Sequence, residues 1–217
     1  MAPTAGWYDD PRDGGKLRYW DGAAWTAQSQ SYFLPIRDAL GQTLVLHGGG
    51  LVPKAEDLKL GDQVVVRLGW GGLMDRFSGD LTLESDSGSW RIDQQGLLPP
   101  RHVIFGATGQ VAAMEWQLTK GTGTLTFTDG RRFVWDDEWT KVDRWATPVR
   151  HAGQWWLWDT SGRAVIGAAH DGTTTTVQAN PAAAEIPELA LLAGLGTYLV
   201  LRWLDTQVHR DRRHDRI

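Results

Sequence analysis

The chain has 217 residues, enough for one large domain with a small appendage, and its net charge is −4. It contains no cysteine, which excludes disulfides, thiolate zinc sites and thiol nucleophiles. Residues 41–201 carry 13 Lys and Arg against 18 Asp and Glu. This acidic balance argues against nucleic acid as a partner, because proteins that bind its phosphates are usually basic.

The first 28 residues predict a small Trp-rich β domain. Asp21-Gly22 lies between Trp20 and Trp25, and such a dipeptide between aromatic runs favours a hairpin. One interpretation of the aromatic residues is that they pack on one another, since so small a unit needs large side chains for stability. The other is an aromatic groove for a peptide or another protein, formed by Trp7, Tyr19, Trp20 and Trp25.

The same segment carries a specific motif. It reads Gly6-Trp7-Tyr8, Asp10-Pro11, Arg18-Tyr19-Trp20-Asp21-Gly22 and Trp25-Thr26. This pattern resembles a short actinobacterial domain of unknown function that sits at the N-terminus of larger proteins. The resemblance implies a bacterial source and no particular activity.

Residues 29–42 are polar and weakly patterned, which predicts a linker, and residues 43–206 predict the main domain. Short runs of strand-forming residues follow one another there, separated by Gly-containing turns, and Leu60-Gly61-Asp62 is interpreted as the start of one run. About twelve strands exceed what an open twisted sheet usually carries, so we expect a closed antiparallel barrel. The predicted strands are Thr43–Leu46, Gln63–Trp70, Asp80–Glu84, Ser89–Asp93, His102–Phe105, Gln110–Leu118, Thr122–Thr128, Arg131–Trp135, Arg144–Arg150, Gln154–Asp159, Arg163–Ala169 and Thr173–Gln178.

The segment from Leu189 to Leu201 has neither a charge nor a polar face. Pro187 and Glu188 before it suit the first turn of a helix. An all-apolar helix lies in a core or a membrane, and crossing a bilayer takes about 20 such residues. Because this run is shorter and ends at Arg202, we expect a buried core helix and no transmembrane span. The predicted fold is mainly β: an antiparallel barrel of about twelve strands around this helix, plus the small N-terminal unit.

Strands followed by one apolar helix, with the run Pro187 to Ala193 at its start, resemble the tubby C-terminal-like fold. Phospholipid scramblases and plant LURP-one-related proteins share that fold. The resemblance implies binding at a membrane surface, often to anionic phosphoinositide-like lipids, or an adaptor role. It does not imply an enzyme.

No catalytic or cofactor motif appears, so we expect neither an enzyme nor a cofactor. The acidic run Asp136-Asp137-Glu138 is interpreted as a solvated turn rather than a calcium site, and the six His lack the spacing of metal ligands. Strand alternation places Trp156 and Trp158 on one face and Trp155 with Leu157 on the other. We expect one pair to fill the barrel, and an exposed Trp pair could bind lipid headgroups, sugar or a partner.

Residues 207–217 form a net-positive polar tail in which Arg210, Arg212 and Arg213 are candidate contacts to an anionic surface. These features predict a non-enzymatic binding or adaptor protein at a membrane surface, with anionic lipid or another protein as partner. The alternative is a carbohydrate- or small-ligand-binding β-barrel. The N-terminus lacks a secretory signal, so we expect a cytoplasmic protein that associates peripherally with the inner membrane face.

Overall fold

The structure is a computed structural model that describes residues 3–48, 55–70, 80–96, 101–117, 122–137 and 152–214. The N-terminal residues form a three-stranded antiparallel sheet, which confirms the small β unit. Its strands are β1 (Gly6–Asp10), β2 (Asp13–Trp20) and β3 (Trp25–Ser31). At the predicted hairpin turn, Asp21 Oδ1 accepts hydrogen bonds from the N–H groups of Ala23 and Ala24. The sheet continues to the end of β3, beyond the predicted domain boundary at residue 28.

The main domain is a closed antiparallel barrel of twelve described strands, as predicted. Each strand pairs with its neighbours in the chain, and the last strand, β15, pairs with the first, β4, to close the barrel. The strands are β4 (Thr43–Gly48), β5 (Ala55–Leu60), β6 (Gln63–Gly69), β7 (Leu81–Ser85), β8 (Gly88–Gln95), β9 (Arg101–Gly106), β10 (Gly109–Gln117), β11 (Thr122–Phe127), β12 (Arg132–Asp137), β13 (Ala152–Asp159), β14 (Ala164–Asp171) and β15 (Thr175–Ala179).

Strand β5 was not among the predicted strands. Its charged residues conceal the alternation, yet Glu56 and Leu58 both point to the buried face. Leu60 is the last residue of β5, and Gly61-Asp62, with Gly61 at φ +59°, forms the turn to β6, so this run is not the start of a strand. The strand predicted at 144–150 lies outside the described residues.

The segment predicted as a linker packs against the barrel over residues 33–39. Phe33 forms a parallel bridge with Val64, and the Leu34 N–H donates to the Val64 carbonyl at 2.7 Å. A 3-10 helix follows at Ile36–Ala39, and both of its terminal residues are buried in the barrel core. Residues three apart share one face of a 3-10 helix, so a short, mostly polar sequence still buries an apolar edge.

The apolar segment is the first half of a helix, α1 (Leu189–His214), and every residue from Leu189 to Leu201 is buried, as predicted. A methyl group added at Gly194 would lie 3.0 Å from side-chain carbons of Leu83 and Val66, on β7 and β6. Two residues further, about 200° around the helix, Gly196 faces Trp135 on β12. Strands therefore contact the helix from opposite sides, which places it inside the barrel.

Two arginines that lie in turns between strands bind the segment that precedes α1. Arg131 donates from both terminal nitrogens to the Glu188 carboxylate, each at 2.8 Å. Arg163 pairs with Glu185 at 2.7 Å and donates to the Ala182 carbonyl at 2.6 Å. These contacts fix the position at which the chain enters the barrel.

In the described part of the chain, no helix combines the length and the apolar character needed to cross a membrane.

We expect Leu191→Ala to lower the free energy of unfolding by about 2–5 kcal/mol, because it removes a fully buried side chain from the centre of the barrel. Urea denaturation followed by circular dichroism measures the change. Val134→Ala is the control, since Val134 is 42% exposed on the outer wall, and it should change the value by less than about 0.5 kcal/mol. Equal effects of the two substitutions would contradict a buried helix.

Candidate functional site

The interior of the barrel is occupied by side chains. The largest fully buried residues include Trp116, Trp135 and Trp155 on the strands and Tyr198 on α1. The helix and the inner faces of the strands belong to one continuous hydrophobic cluster. Sites that a ligand can reach must therefore be sought on the outer surfaces.

One polar cluster lies within this core. The Tyr198 hydroxyl is 3.1 Å from Nε2 of His102 on β9, and Arg202 donates to Oε1 of Gln94 at 3.0 Å. His102 is fully buried, and its Nδ1 has no hydrogen-bond partner among the described residues. Burial, with a smaller contribution from the charge of Arg202, lowers the pKa of His102 to about 4. A neutral imidazole without access to solvent cannot reach a substrate, so we assign His102 a structural role.

The aromatic residues of the small sheet divide between its two faces. Trp7 lies opposite Tyr19 in the β1–β2 register, and their rings meet edge to face with centroids 5.4 Å apart. Trp20 lies opposite Trp25 with centroids 5.3 Å apart, and Tyr8 is 6.2 Å from Trp25. Because neighbouring residues of a strand point to opposite faces, the four predicted site residues form two clusters rather than one groove.

Each face of the small sheet offers one exposed indole. Trp7 is 41% exposed and Trp25 is 40% exposed, whereas Tyr19 and Trp20 are half-buried beneath them. An ion pair between Arg18 and Asp10, with Nε and Oδ2 2.9 Å apart, braces β2 against β1. This arrangement agrees with the interpretation that the aromatic residues pack on one another. It also leaves two aromatic side chains accessible to a partner.

The small sheet is attached to the barrel at Tyr32. The Tyr32 N–H donates to the Gly15 carbonyl of β2, and its hydroxyl accepts a hydrogen bond from Arg67 on β6. The Arg67 guanidinium also lies 4.6 Å from the Tyr32 ring centroid and pairs with Asp57 at 2.8 Å. One arginine therefore links the end of the small sheet to two barrel strands.

The three predicted basic residues, Arg210, Arg212 and Arg213, all lie on α1. The helix continues to His214, so residues 207–214 are helical in place of the polar tail predicted at 207–217. The three basic residues are thus carried by the same helix that the barrel encloses.

The side chains of β13 alternate as predicted, and the structure decides which pair faces out. Trp155 and Leu157 are each 1% exposed and fill the barrel. Trp156 and Trp158 lie half-buried on the outer wall, with ring centroids 6.0 Å apart. A groove of about 160 Å³ opens beside Trp156. Its lining includes Thr43, Gln154, Trp156, Ala169, Thr176 and Gln178.

No group of three His, Asp or Glu side chains is placed to hold a metal ion in the described ranges of the chain. Of the acidic run that the sequence interpretation placed in a turn, Asp136 and Asp137 lie in β12, and Glu138 is outside the described residues. Asp136 is exposed and lies opposite Trp156 in the register.

Residues 5–32 are similar to a family described as a protein of unknown function, DUF2510. This match confirms the N-terminal resemblance to a domain of unknown function, and it ends at Tyr32, which contacts the barrel. Comparisons with curated proteins and with solved structures gave no match.

Two features were missed by sequence reasoning. The pairing of His102 with Tyr198 joins residues far apart in the chain, and no local pattern signals it. The sequence does contain an indication of the groove, because Gly167 and Ala169 of β14 lie on the same face of the sheet as Trp156. Small residues beside an outward-facing aromatic leave a depression in a sheet, but strand register must be known before that is visible.

We expect the free energy of unfolding to fall by up to about 3 kcal/mol as the pH is lowered from about 6.5 to about 4 because of His102 alone. The sign follows from the lowered pKa, since in this window the unfolded chain binds a proton that the folded protein does not. Urea denaturation at several pH values should show a shallower pH dependence for His102→Gln than for the native protein. His47→Gln, which alters an exposed histidine, should keep the native profile. Parallel profiles for the native protein and His102→Gln would contradict the assignment.

Proposed function

We propose that this protein is a non-enzymatic binding protein that attaches to an anionic membrane surface through the C-terminal part of α1. The observation that carries the proposal is that Arg210, Arg212 and Arg213 lie on a helix whose first half is buried in the barrel. A basic cluster on a helix anchored in the core loses less conformational freedom on binding than one on a free chain end.

The charge of this segment sets the strength of the expected attachment. Each Arg contributes about 1 kcal/mol to the free energy of binding when it lies within a Debye length of an anionic lipid surface. Asp211 lies among the three arginines and opposes them, and the barrel domain is acidic. We therefore expect reversible binding that weakens with salt, and that strengthens when His209 and His214 become protonated.

The arginines that the structure describes on the barrel wall are weaker candidates for the membrane contact than those of the C-terminal helix. Many of them are paired with carboxylates: Arg67 with Asp57, Arg91 with Asp93, Arg131 with Asp129 and Glu188, and Arg163 with Asp159 and Glu185. Paired charges on a wall present little net field to an anionic surface.

A twelve-stranded barrel around a buried C-terminal helix is also the arrangement on which the resemblance to the tubby C-terminal-like fold rests. We propose that the protein shares the membrane-surface or adaptor role of the scramblase-like and LURP-one-related proteins. In this proposal the protein resides in the cytoplasm and associates with the inner membrane face. The exposed Trp7 and Trp25 are the proposed contacts for a protein partner, since exposed aromatic residues are common anchors in interfaces.

A second candidate function is the binding of a small polar ligand, which the groove beside Trp156 favours. Because α1 occupies the interior, a ligand of this kind would bind on the outer wall.

We expect the purified protein to co-sediment with phosphatidylcholine vesicles that contain phosphatidylglycerol, and not with phosphatidylcholine vesicles alone. Binding should be stronger at low salt than at physiological salt. The triple variant Arg210→Gln, Arg212→Gln, Arg213→Gln should bind about 100-fold more weakly, from the loss of three surface charges.

The matched control is Arg91→Gln, Arg101→Gln, Arg132→Gln, which makes the same change in charge at exposed positions of the barrel wall. The control should retain vesicle binding. An equal loss in both triple variants would point to net charge rather than to α1. An absence of binding under every condition would overturn the lipid proposal and leave a protein-interaction module.

A further inference from the structure

The last strand of the small sheet, β3, has a neighbouring strand on one side only. The strand order of the sheet is β1-β2-β3, so β3 pairs with β2 and no described strand pairs with its other side. Six of its seven residues are exposed. A strand in this position carries a row of backbone N–H and C=O groups that can pair with a further strand.

The register shows which backbone groups point to this free edge. The Tyr32 N–H donates to the Gly15 carbonyl at 3.0 Å, so these two residues form a hydrogen-bonded pair. Hydrogen-bonded and non-hydrogen-bonded pairs alternate along an antiparallel ladder. Ser31 and Ser29 lie one and three positions before Tyr32 in the same register, so each belongs to a non-hydrogen-bonded pair with β2. Their N–H and C=O groups therefore point away from β2, toward the free edge.

This end of β3 is regular. The irregular part of the pairing between β2 and β3 lies between Trp25 and Ser29. In that part, the Gln28 N–H donates to Oγ1 of Thr26 at 3.2 Å. Ser29 to Ser31 keep the register of the ladder, so an added strand would meet two N–H groups and two C=O groups there.

The two edges of the small sheet differ in chemistry. Strand β1 ends with Asp9 and Asp10 and is followed by Pro11. Charged side chains and proline are features with which natural proteins keep a sheet edge from pairing. Strand β3 reads Trp-Thr-Ala-Gln-Ser-Gln-Ser and contains neither a charged residue nor a proline. Of the two edges, β3 is thus the better suited to accept a further strand.

An exposed indole lies at the start of the same strand. Trp25 is 40% exposed, and its ring packs against Trp20 and Tyr8 on one face of the sheet. A strand added to β3 would place one of its own side chains beside this indole. An aromatic or β-branched side chain in such a position stabilises a cross-strand pair. The edge therefore favours a segment with an apolar side chain near Trp25.

The size of the edge distinguishes an extended segment from a second copy of this chain. The seven residues of β3 span about 24 Å, and a sheet is about 10 Å thick, so the edge offers roughly 240 Å². A stable complex between two folded surfaces buries about 800 Å² on each partner. An extended segment can bind through a narrow strip, since its main-chain hydrogen bonds supply the affinity and its side chains the specificity.

We infer that β3 binds an extended, uncharged segment of another protein as an antiparallel fourth strand, with an apolar side chain of that segment packed on Trp25. The backbone groups of Ser29 and Ser31 pair with the main chain of the segment. This inference rests on the proposed contact of a protein partner at Trp25, and it states how that contact is made. It involves none of the C-terminal arginines.

The test uses the full chain and an array of ten-residue peptides in which threonine alternates with valine, isoleucine or phenylalanine. A second set carries lysine or glutamate in place of threonine and reports on charge preference. The strongest uncharged binder is titrated by fluorescence anisotropy. On saturation, amide hydrogen exchange at Ser29 and Ser31 should slow at least about tenfold. Exchange at Gln30, whose N–H already faces β2, should not change.

A proline variant tests the main-chain contact. Ser29→Pro removes one outward N–H and leaves the hydrogen bonds between β2 and β3 in place, and proline is tolerated at such an edge position. It should weaken peptide binding about tenfold, because it removes a hydrogen bond to the added strand. Trp25→Ala should weaken binding about fivefold through loss of the apolar contact.

Matched controls separate the backbone from the side chain and one edge from the other. Ser29→Ala keeps the N–H and should bind as the native protein does. Asp9→Pro places a proline at the free edge of β1, because the register partner of Asp9, Leu17, directs its backbone groups to β3. It should also bind as the native protein does, and circular dichroism should show that all four variants are folded.

Peptides with alternate amides N-methylated test the main-chain contact without any change in the protein. They should lose binding to the native chain. The inference is overturned if no peptide binds, if the charged peptides bind more tightly, or if N-methylation or Ser29→Pro leaves the affinity unchanged. Native dimers in sedimentation analysis that Ser29→Pro dissociates would assign the edge to a second copy and would also overturn it.

Failure of strand addition and failure of the proposed partner contact give different results. If Trp25→Ala weakens peptide binding and Ser29→Pro does not, the contact at Trp25 stands and only strand addition fails. Vesicle binding is measured separately, without peptide, and reports on the membrane proposal alone.

Discussion

Burial of the apolar first half of α1 is the constraint on which the rest of the structure depends. A helix without a polar face must be covered on all sides. A barrel of twelve strands encloses more space than the side chains of its own strands can fill. Each element meets the requirement of the other. Gly194 and Gly196 make the fit possible, because they let strands on opposite sides approach the helix backbone.

This filled interior determines where function can reside. Many barrels bind ligands inside, but here the helix and the inward-facing Trp side chains occupy that space. Among the polar groups of the core, the Tyr198 hydroxyl lies 3.1 Å from Nε2 of His102, and both side chains are fully buried. In the proposed binding role, recognition falls to the outer wall, to the small sheet and to the far end of the helix.

These three surfaces differ in chemistry. The small sheet presents exposed indoles, the wall beside Trp156 presents neutral polar groups, and the helix end carries arginines. The Tyr32–Arg67 contact joins the small sheet to the barrel. This arrangement suits the proposed adaptor role, in which different partners are brought near one another.

The sequence by itself determined the elements whose signals are local. Thirteen consecutive uncharged residues after Glu188 predict a buried helix, Asp21-Gly22 predicts a hairpin, and the run at 155–158 predicts alternating faces. Only the tertiary structure decided that Trp156 faces out, that residues 33–39 pack on the barrel, and that the small sheet divides its aromatic residues into two clusters. It also assembled the groove, whose members come from four strands. The reason is physical: a side chain's direction along a strand follows from a period of two residues, whereas its cross-strand neighbours depend on register and on closure of the whole barrel.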